Sequence, residues 1–208
     1  MLLSDEPPKQ LLIVGSHLSR LAIIYFSQTG TTHQIATAVA EGANQFKPGS
    51  CQLHRITGSE IVNGRFINEA CLAMIDEADA ICFGSPTYMG GPAAQFKAFA
   101  DASSERWETQ RWSGKAASGF TVGINPGGDQ LATLQYFSVL AAQQGMVWVG
   151  LDKPQDQQLD NWNTQGTQLG FSAYVTGDTI SESDVATAQY LGERIVKVGG
   201  SLSTIRNT

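Results

Sequence analysis

The stretch LAIIYFSQTGTTHQIA (residues 21–36) sets an apolar run against a loop of small and hydroxylated residues, then passes into helix-like periodicity. A near-continuous apolar run suits a strand buried on both faces, as in a parallel sheet covered by helices. The loop SQTGTT (27–32) falls where that strand hands over to a helix. A helix N-terminus offers unpaired N–H groups and the positive end of a dipole, so it attracts an anion. Ser27, Thr29, Thr31 and Thr32 add hydroxyls, and Gly30 lets the backbone approach closely. Without Lys or Arg the loop is not the GxxxxGK[ST] grip of triphosphates, and it lacks the GxGxxG pattern of dinucleotide sites. Two readings stay open on these residues alone: a cradle for a terminal phosphomonoester, or a Ser/Thr cap on an ordinary helix.

Four more apolar runs follow: CQLHRI (51–56, the weakest), AICFGS (80–85), AASGFTV (116–122) and MVWVGL (146–151). Helical spacing fills the gaps. Ile35, Val39, Ala43 and Phe46 share one face, as do Leu72, Ile75 and Ala78, and Phe96 and Phe99 behind Pro92. Leu131, Leu134, Phe137 and Leu140 recur before Gly145, a helix stop. The last helix starts near Ser181, with Ser181 or Ser183 as its cap. The βα alternation predicts an α/β doubly wound sandwich with a five-stranded parallel sheet in the order 2-1-3-4-5. LLIVGSHLS (11–19) also looks strand-like, but about five residues before the next strand are too few for a parallel crossover. Residues 1–20 are therefore expected to be an N-terminal extension or an extra edge strand, 21–201 the domain and 202–208 a tail. The polar, Gly- and Gln-rich stretch 152–180 reads as a long loop, functional or covered by a partner.

Composition narrows the function. At 208 residues, 42% apolar and 15% charged, the chain suits one globular domain. Its net charge of −6, with no Lys/Arg cluster, argues against a nucleic-acid surface. Cys51, Cys71 and Cys82 form no CxxC pair, so neither a disulfide framework nor a metal site is expected, and the setting reads as reduced cytoplasm. MLLSDEPPKQ is acidic and proline-bearing, unlike a signal peptide, and LLIVGSHLS is too short to span a bilayer; no integral membrane segment is expected.

Two more loops belong at the same sheet edge, where open α/β sheets bind ligands. GSPTYMGGPAAQF (84–96) leaves Thr87, Tyr88 and Met89 projecting on a path bent by Pro86 and glycines. It reads either as a wall for a flat ring or as a plain βα turn. FTVGINPGGDQ (120–130) is rich in glycines that permit positive φ, so several backbone donors can face one ligand; Asp129 is also a helix-cap candidate. A phosphate cradle facing two polar backbone walls fits a mononucleotide with a flat polar ring, flavin mononucleotide (FMN) foremost.

SQTGTT, GSPTYMGGPAAQFKAFAD, RWETQRWSGK, QQGMVWVGL and SESDVATAQYLGERIVKV resemble the WrbA-type NAD(P)H:quinone oxidoreductases, a flavodoxin-like family that uses FMN. The resemblance covers roughly residues 21–198. It implies a phosphate loop of Ser27, Gln28, Thr29, Gly30, Thr31 and Thr32, with Pro86, Thr87, Tyr88, Met89 and Gly90 against the isoalloxazine. Thr121, Val122, Gly123, Ile124, Asn125 and nearby Gly128 would meet the ribityl chain and ring, with Trp107 and Tyr88 on the substrate side. The implied activity is hydride transfer from NADH or NADPH and two-electron reduction of a quinone-like acceptor, in a homodimer or homotetramer, with the flavin doing the chemistry. Rival readings are a one-electron flavodoxin carrier and a flavin-free regulator; the nearly uncharged loops favour the enzyme over the carrier. Two family histidines are replaced, by Pro126 and Gln144, and FSAY (171–174) stands in place of the family's PYG stretch. His17, His33 and His54 offer no clear catalytic acid, although His33 adjoins the phosphate loop.

Overall fold

The computed structural model describes residues 20–153, 162–175, 177 and 179–206. β1 (Leu21–Phe26) is buried along its whole length because helices cover both of its faces. Leu21, Ile23 and Tyr25 point into a core shared with α1 (Thr31–Phe46) and α6 (Glu182–Arg206). Ala22, Ile24 and Phe26 point to the opposite core, against α2 (Glu69–Asp76), α3 (Ala94–Ala102) and α5 (Gln130–Gln143). That two-sided burial explains why the run shows no polar alternation. In the first core α1 and α6 pack backbone to backbone. A Cβ on Gly42 would lie 1.8 Å from the Gln189 carbonyl oxygen, and one on Gly192 would lie 1.9 Å from that of Val39.

Around β1 the sheet runs β2 (Cys51–Ile56), β1, β5 (Ala80–Tyr88), β7 (Ala116–Gly123), all parallel. The predicted 2-1-3-4-5 order and the three-layer class hold. β2 is the edge, largely exposed, which is why its sequence signal was weak. Between β2 and α2 a small hairpin is formed by β3 (Ile61–Val62) and β4 (Arg65–Phe66).

The fifth position departs from expectation. MVWVGL is not one strand: β8 is only Val147–Trp148, paired with Ala116 and Ala117. The chain stays bonded through Val149 N–H to the Ala117 carbonyl (2.7 Å), then leaves, with Leu151 N–H on the Gln168 carbonyl (2.9 Å). β9 (Phe171–Tyr174) then takes over beside Phe120 to Gly123. FSAY is thus the second half of a divided edge strand, not part of a loop. The buried edge of β7 needs hydrogen-bond partners along its whole length, and two short segments supply them.

Smaller corrections concern single residues. Pro92 sits in β6 (Gly91–Pro92), which folds back antiparallel on the end of β5, and α3 begins two residues later. Phe46 and Leu131, expected inside, are about half exposed; the Lys197 ammonium lies over the Phe46 ring. α6 runs on to Arg206, so residues 202–206 continue the helix. The strand-like stretch 11–19 and residues 154–161 of the long loop lie outside the described residues. Among those described, no helix is long and apolar enough to cross a membrane.

Candidate functional site

The carboxyl ends of β1, β5 and β7 meet at one edge. At β1, Gly30 takes φ +104° and opens α1 without any side-chain cap or any acidic residue in the first turn. Ser27 is buried, and its Oγ accepts the N–H groups of Gly30 and His33, each at 3.2 Å. The N–H groups of Thr31 and Thr32 have no intrahelical carbonyl to reach, and a helix start of this kind can receive an anion. Gln28 and Thr29 are exposed beside it, while Thr31 and Thr32 are buried. The Tyr25 hydroxyl lies 2.6 Å from His33 Nδ1, tying the first turn of α1 back to β1. Burial holds the Tyr25 phenol above its usual pKa, partly offset by Arg55.

Arg55 is the residue that sequence reasoning missed. Its Nη2 donates to the Ser27 carbonyl at 2.6 Å, placing a guanidinium against a loop that carries no positive charge of its own. The only signal was parallel register, since Arg55 stands beside Tyr25 across β1 and β2.

At the other end, the β5–β6 hairpin turns through Met89 (φ +49°) and Gly90 (φ +76°). Both are positive, as a two-residue turn of this twist demands. Tyr88 is nearly half exposed and Met89 fully so. Thr87 points inward instead of projecting: its hydroxyl meets those of Thr121 (2.8 Å) and Thr133 (2.7 Å). Because Thr121 spends its proton on the Ser85 carbonyl (2.8 Å), the chain of donation runs Thr133 to Thr87 to Thr121 to Ser85. This locks β5, β7 and α5 together beneath the site. Pro86, Thr121 and Val122 are buried within the strands.

A cleft of about 460 Å³ opens above them, lined by Thr87, Met89, Gly90, Gly123, Asn125 and Gln130 among others. Ile124 and Gly128 also line it. The size falls within the range of about 300–1,000 Å³ of small-molecule sites. Asp129 precedes α5 but makes no cap bond. The loop is held instead by Gln130, whose Nε2 donates to the carbonyls of Asn125 (3.2 Å) and Ala173 (3.1 Å). Those two acceptors fix the amide orientation, and Oε1 is left buried without a partner. An unpaired acceptor on a residue that lines the cleft fits a flat ring bearing an N–H edge, and the helix start fits a phosphate.

Not every expected residue converges here. Trp107, on α4 (Ser104–Glu108), lines a separate depression with Leu140 and Gln144. Gln144 is buried and donates to the Ser103 carbonyl (3.1 Å) and hydroxyl (2.9 Å). Pro126 lines a further cavity behind the third loop. His54 pairs with Glu60 at 2.7 Å, and His17 lies outside the described residues.

The profile of the NADPH-dependent FMN reductase family matches residues 8–153. Flavodoxin FldP of Pseudomonas aeruginosa is 32% identical over 193 residues, covering 89% of this chain and 99% of that protein. An NAD(P)H dehydrogenase (quinone) of Syntrophobacter fumaroxidans is 31% identical, covering 88% and 98%. A crystal structure of a WrbA-like flavodoxin from Agrobacterium tumefaciens superposes with a TM-score of 0.71 at 38% identity, covering 88% of this chain and 98% of that one. With its doubly wound sheet and a ring-sized cleft at the carboxyl edge, the chain belongs to the NADPH-dependent FMN reductase family, flavodoxin-fold oxidoreductases that use FMN and NAD(P)H.

Proposed function

We propose that the chain is an NAD(P)H:quinone oxidoreductase, with FMN held between the α1 N-terminus and the cleft at Thr87–Gly90 and Gly123–Gln130. When bound, FMN supplies the two-electron chemistry. The observation that carries this reading is the shared edge: a helix start with glycine at its N-cap and a ring-sized cleft lie at the carboxyl ends of adjacent parallel strands.

In this reading Thr31 and Thr32 N–H groups receive the phosphate, and Arg55 offsets its charge from behind Ser27. Gln130 Oε1 accepts from the ring edge, and the exposed Tyr88 and Met89 flank the face where substrates enter. The quinone-like acceptor, the cytoplasmic setting, the homodimer or homotetramer and the lack of a nucleic-acid role belong to the proposal. Trp107 and the position of Gln144 reach a flavin only if a neighbouring subunit brings one to them.

The test begins with the absorption spectrum of the purified protein, expected to show flavin bands. NADH or NADPH oxidation is then followed with benzoquinone, expected to give ping-pong kinetics. A colourless protein that takes up no added FMN would refute the proposal. Negligible turnover with a stable one-electron-reduced flavin would make it an electron carrier.

A further inference from the structure

A second cavity, of about 470 Å³, lies behind the third loop and is lined by Pro126, Thr164, Gln165, Ser181, Ser183 and Asp184 among others. It shares its wall with the flavin cleft. Gly123 lines the cleft and pairs with Tyr174, which lines the cavity. Gly127 N–H donates to Gln165 Oε1 at 2.9 Å, pinning the same loop from the cavity side.

Asp184 is the unusual member. It sits in the first turn of α6, where its N–H donates to Ser181 Oγ at 3.1 Å, the arrangement of an ordinary helix cap. Capping does not use up the carboxylate. Asp184 is only 2% exposed, yet it lines a polar cavity, and its Oδ1 is buried with no hydrogen-bond partner. A buried carboxylate oxygen without a donor is costly, so the site is built to receive one. Burial pushes the Asp184 carboxyl above its usual pKa, against the pull of Ser181 and Thr164.

The lining narrows the ligand class. None of the described lining residues is Lys or Arg, so a phosphate has no counter-charge there and would face a carboxylate. Thr164, Ser181 and Ser183 line the same cavity with Asp184, a polar and uncharged surrounding that suits a neutral group rich in O–H donors. Hydride donors of the nicotinamide class carry such groups as ribose diols, and the cavity adjoins the cleft where the nicotinamide must stand. We propose that this cavity is a subsite for a ribose diol of NAD(P)H, with Asp184 Oδ1 accepting from its hydroxyls. The proposal rests on the NAD(P)H reading above.

The test compares wild type with Asp184→Asn in the FMN-loaded full chain, using NADH, NADPH and the ribose-free donor 1-benzyl-1,4-dihydronicotinamide. KM for NADH is expected to rise about tenfold, the worth of one charge-assisted hydrogen bond. Kinetics with the ribose-free donor should move by less than about twofold. An equal rise for NADPH assigns the nicotinamide-side ribose. A smaller rise for NADPH, whose adenosine ribose has one hydroxyl phosphorylated, assigns the adenosine side. If all three donors shift together, Asp184 acts only through the helix cap; if none shifts, the cavity binds nothing. Either result overturns the subsite. Calorimetric titration with ADP-ribose provides a readout without turnover: wild type binds, and Asp184→Asn binds about tenfold more weakly. If wild type oxidises no donor, the NAD(P)H reading fails and this titration alone decides the subsite.

Discussion

The two ends of the candidate site are held in opposite ways. At the phosphate end most bonds are local, Arg55 on the Ser27 carbonyl excepted: Ser27 Oγ holds Gly30 and His33 within six residues of itself, and Tyr25 holds His33 within eight. At the ring end nearly every bond is long-range: Thr87 to Thr133, Gln130 to Ala173, Gly127 to Gln165. A locally tied loop keeps its shape when distant packing changes. A loop tied across the fold depends on α5, β9 and the segment before it all being in place. Affinity for the phosphate and affinity for the ring should therefore respond separately to mutation, and FMN compared with riboflavin reads the two apart.

The largest effect is expected from Gln130→Leu at the ring end. Two carbonyls lose their donor, costing about 2 kcal/mol of stability in urea unfolding. FMN and riboflavin should weaken by the same factor, because the phosphate is untouched. A selective loss of FMN binding would break the comparison.

Arg55→Gln sharpens it from the other side. FMN affinity should fall about tenfold, or about 1.4 kcal/mol, while riboflavin affinity stays put. Fluorescence titration of the two flavins measures this directly. Raised salt should narrow the difference between wild type and variant, since Arg55 is an exposed residue.

Gly30→Ala is the mildest. Nothing lies within 4 Å of the added methyl, so only the cost of φ +104° remains. That is about 1 kcal/mol, read as a shift of the urea midpoint without change in slope. A much larger loss would mean that the loop already crowds the position.

Legibility in the sequence followed the same division. SQTGTT was readable because strand, loop and helix start are contiguous and each has a compositional mark. The runs at 21–26, 80–85 and 116–122 were readable because both sheet faces are covered, leaving no polar alternation. MVWVGL carried the same apolar mark, yet only Val147 and Trp148 form a ladder, because where an edge strand stops is set by its neighbour. Gly150 shows the reason: a Cβ there would lie 2.2 Å from the Gln168 carbonyl oxygen, so another backbone already occupies that side. Thr87 was expected to project beside Tyr88, but two partner hydroxyls, 34 and 46 residues away, draw it inward.

By itself the sequence determined the layered α/β plan, the anion-ready start of α1 and the glycine-rich walls, since these depend on residue type over short spans. Only the tertiary structure decided that Arg55 backs Ser27, that the fifth strand is divided, and that Gln130 and Asp184 each keep a buried oxygen unbonded. Those outcomes depend on which backbone lies beside which, and hydrogen-bond partners many residues apart leave no local mark in the chain.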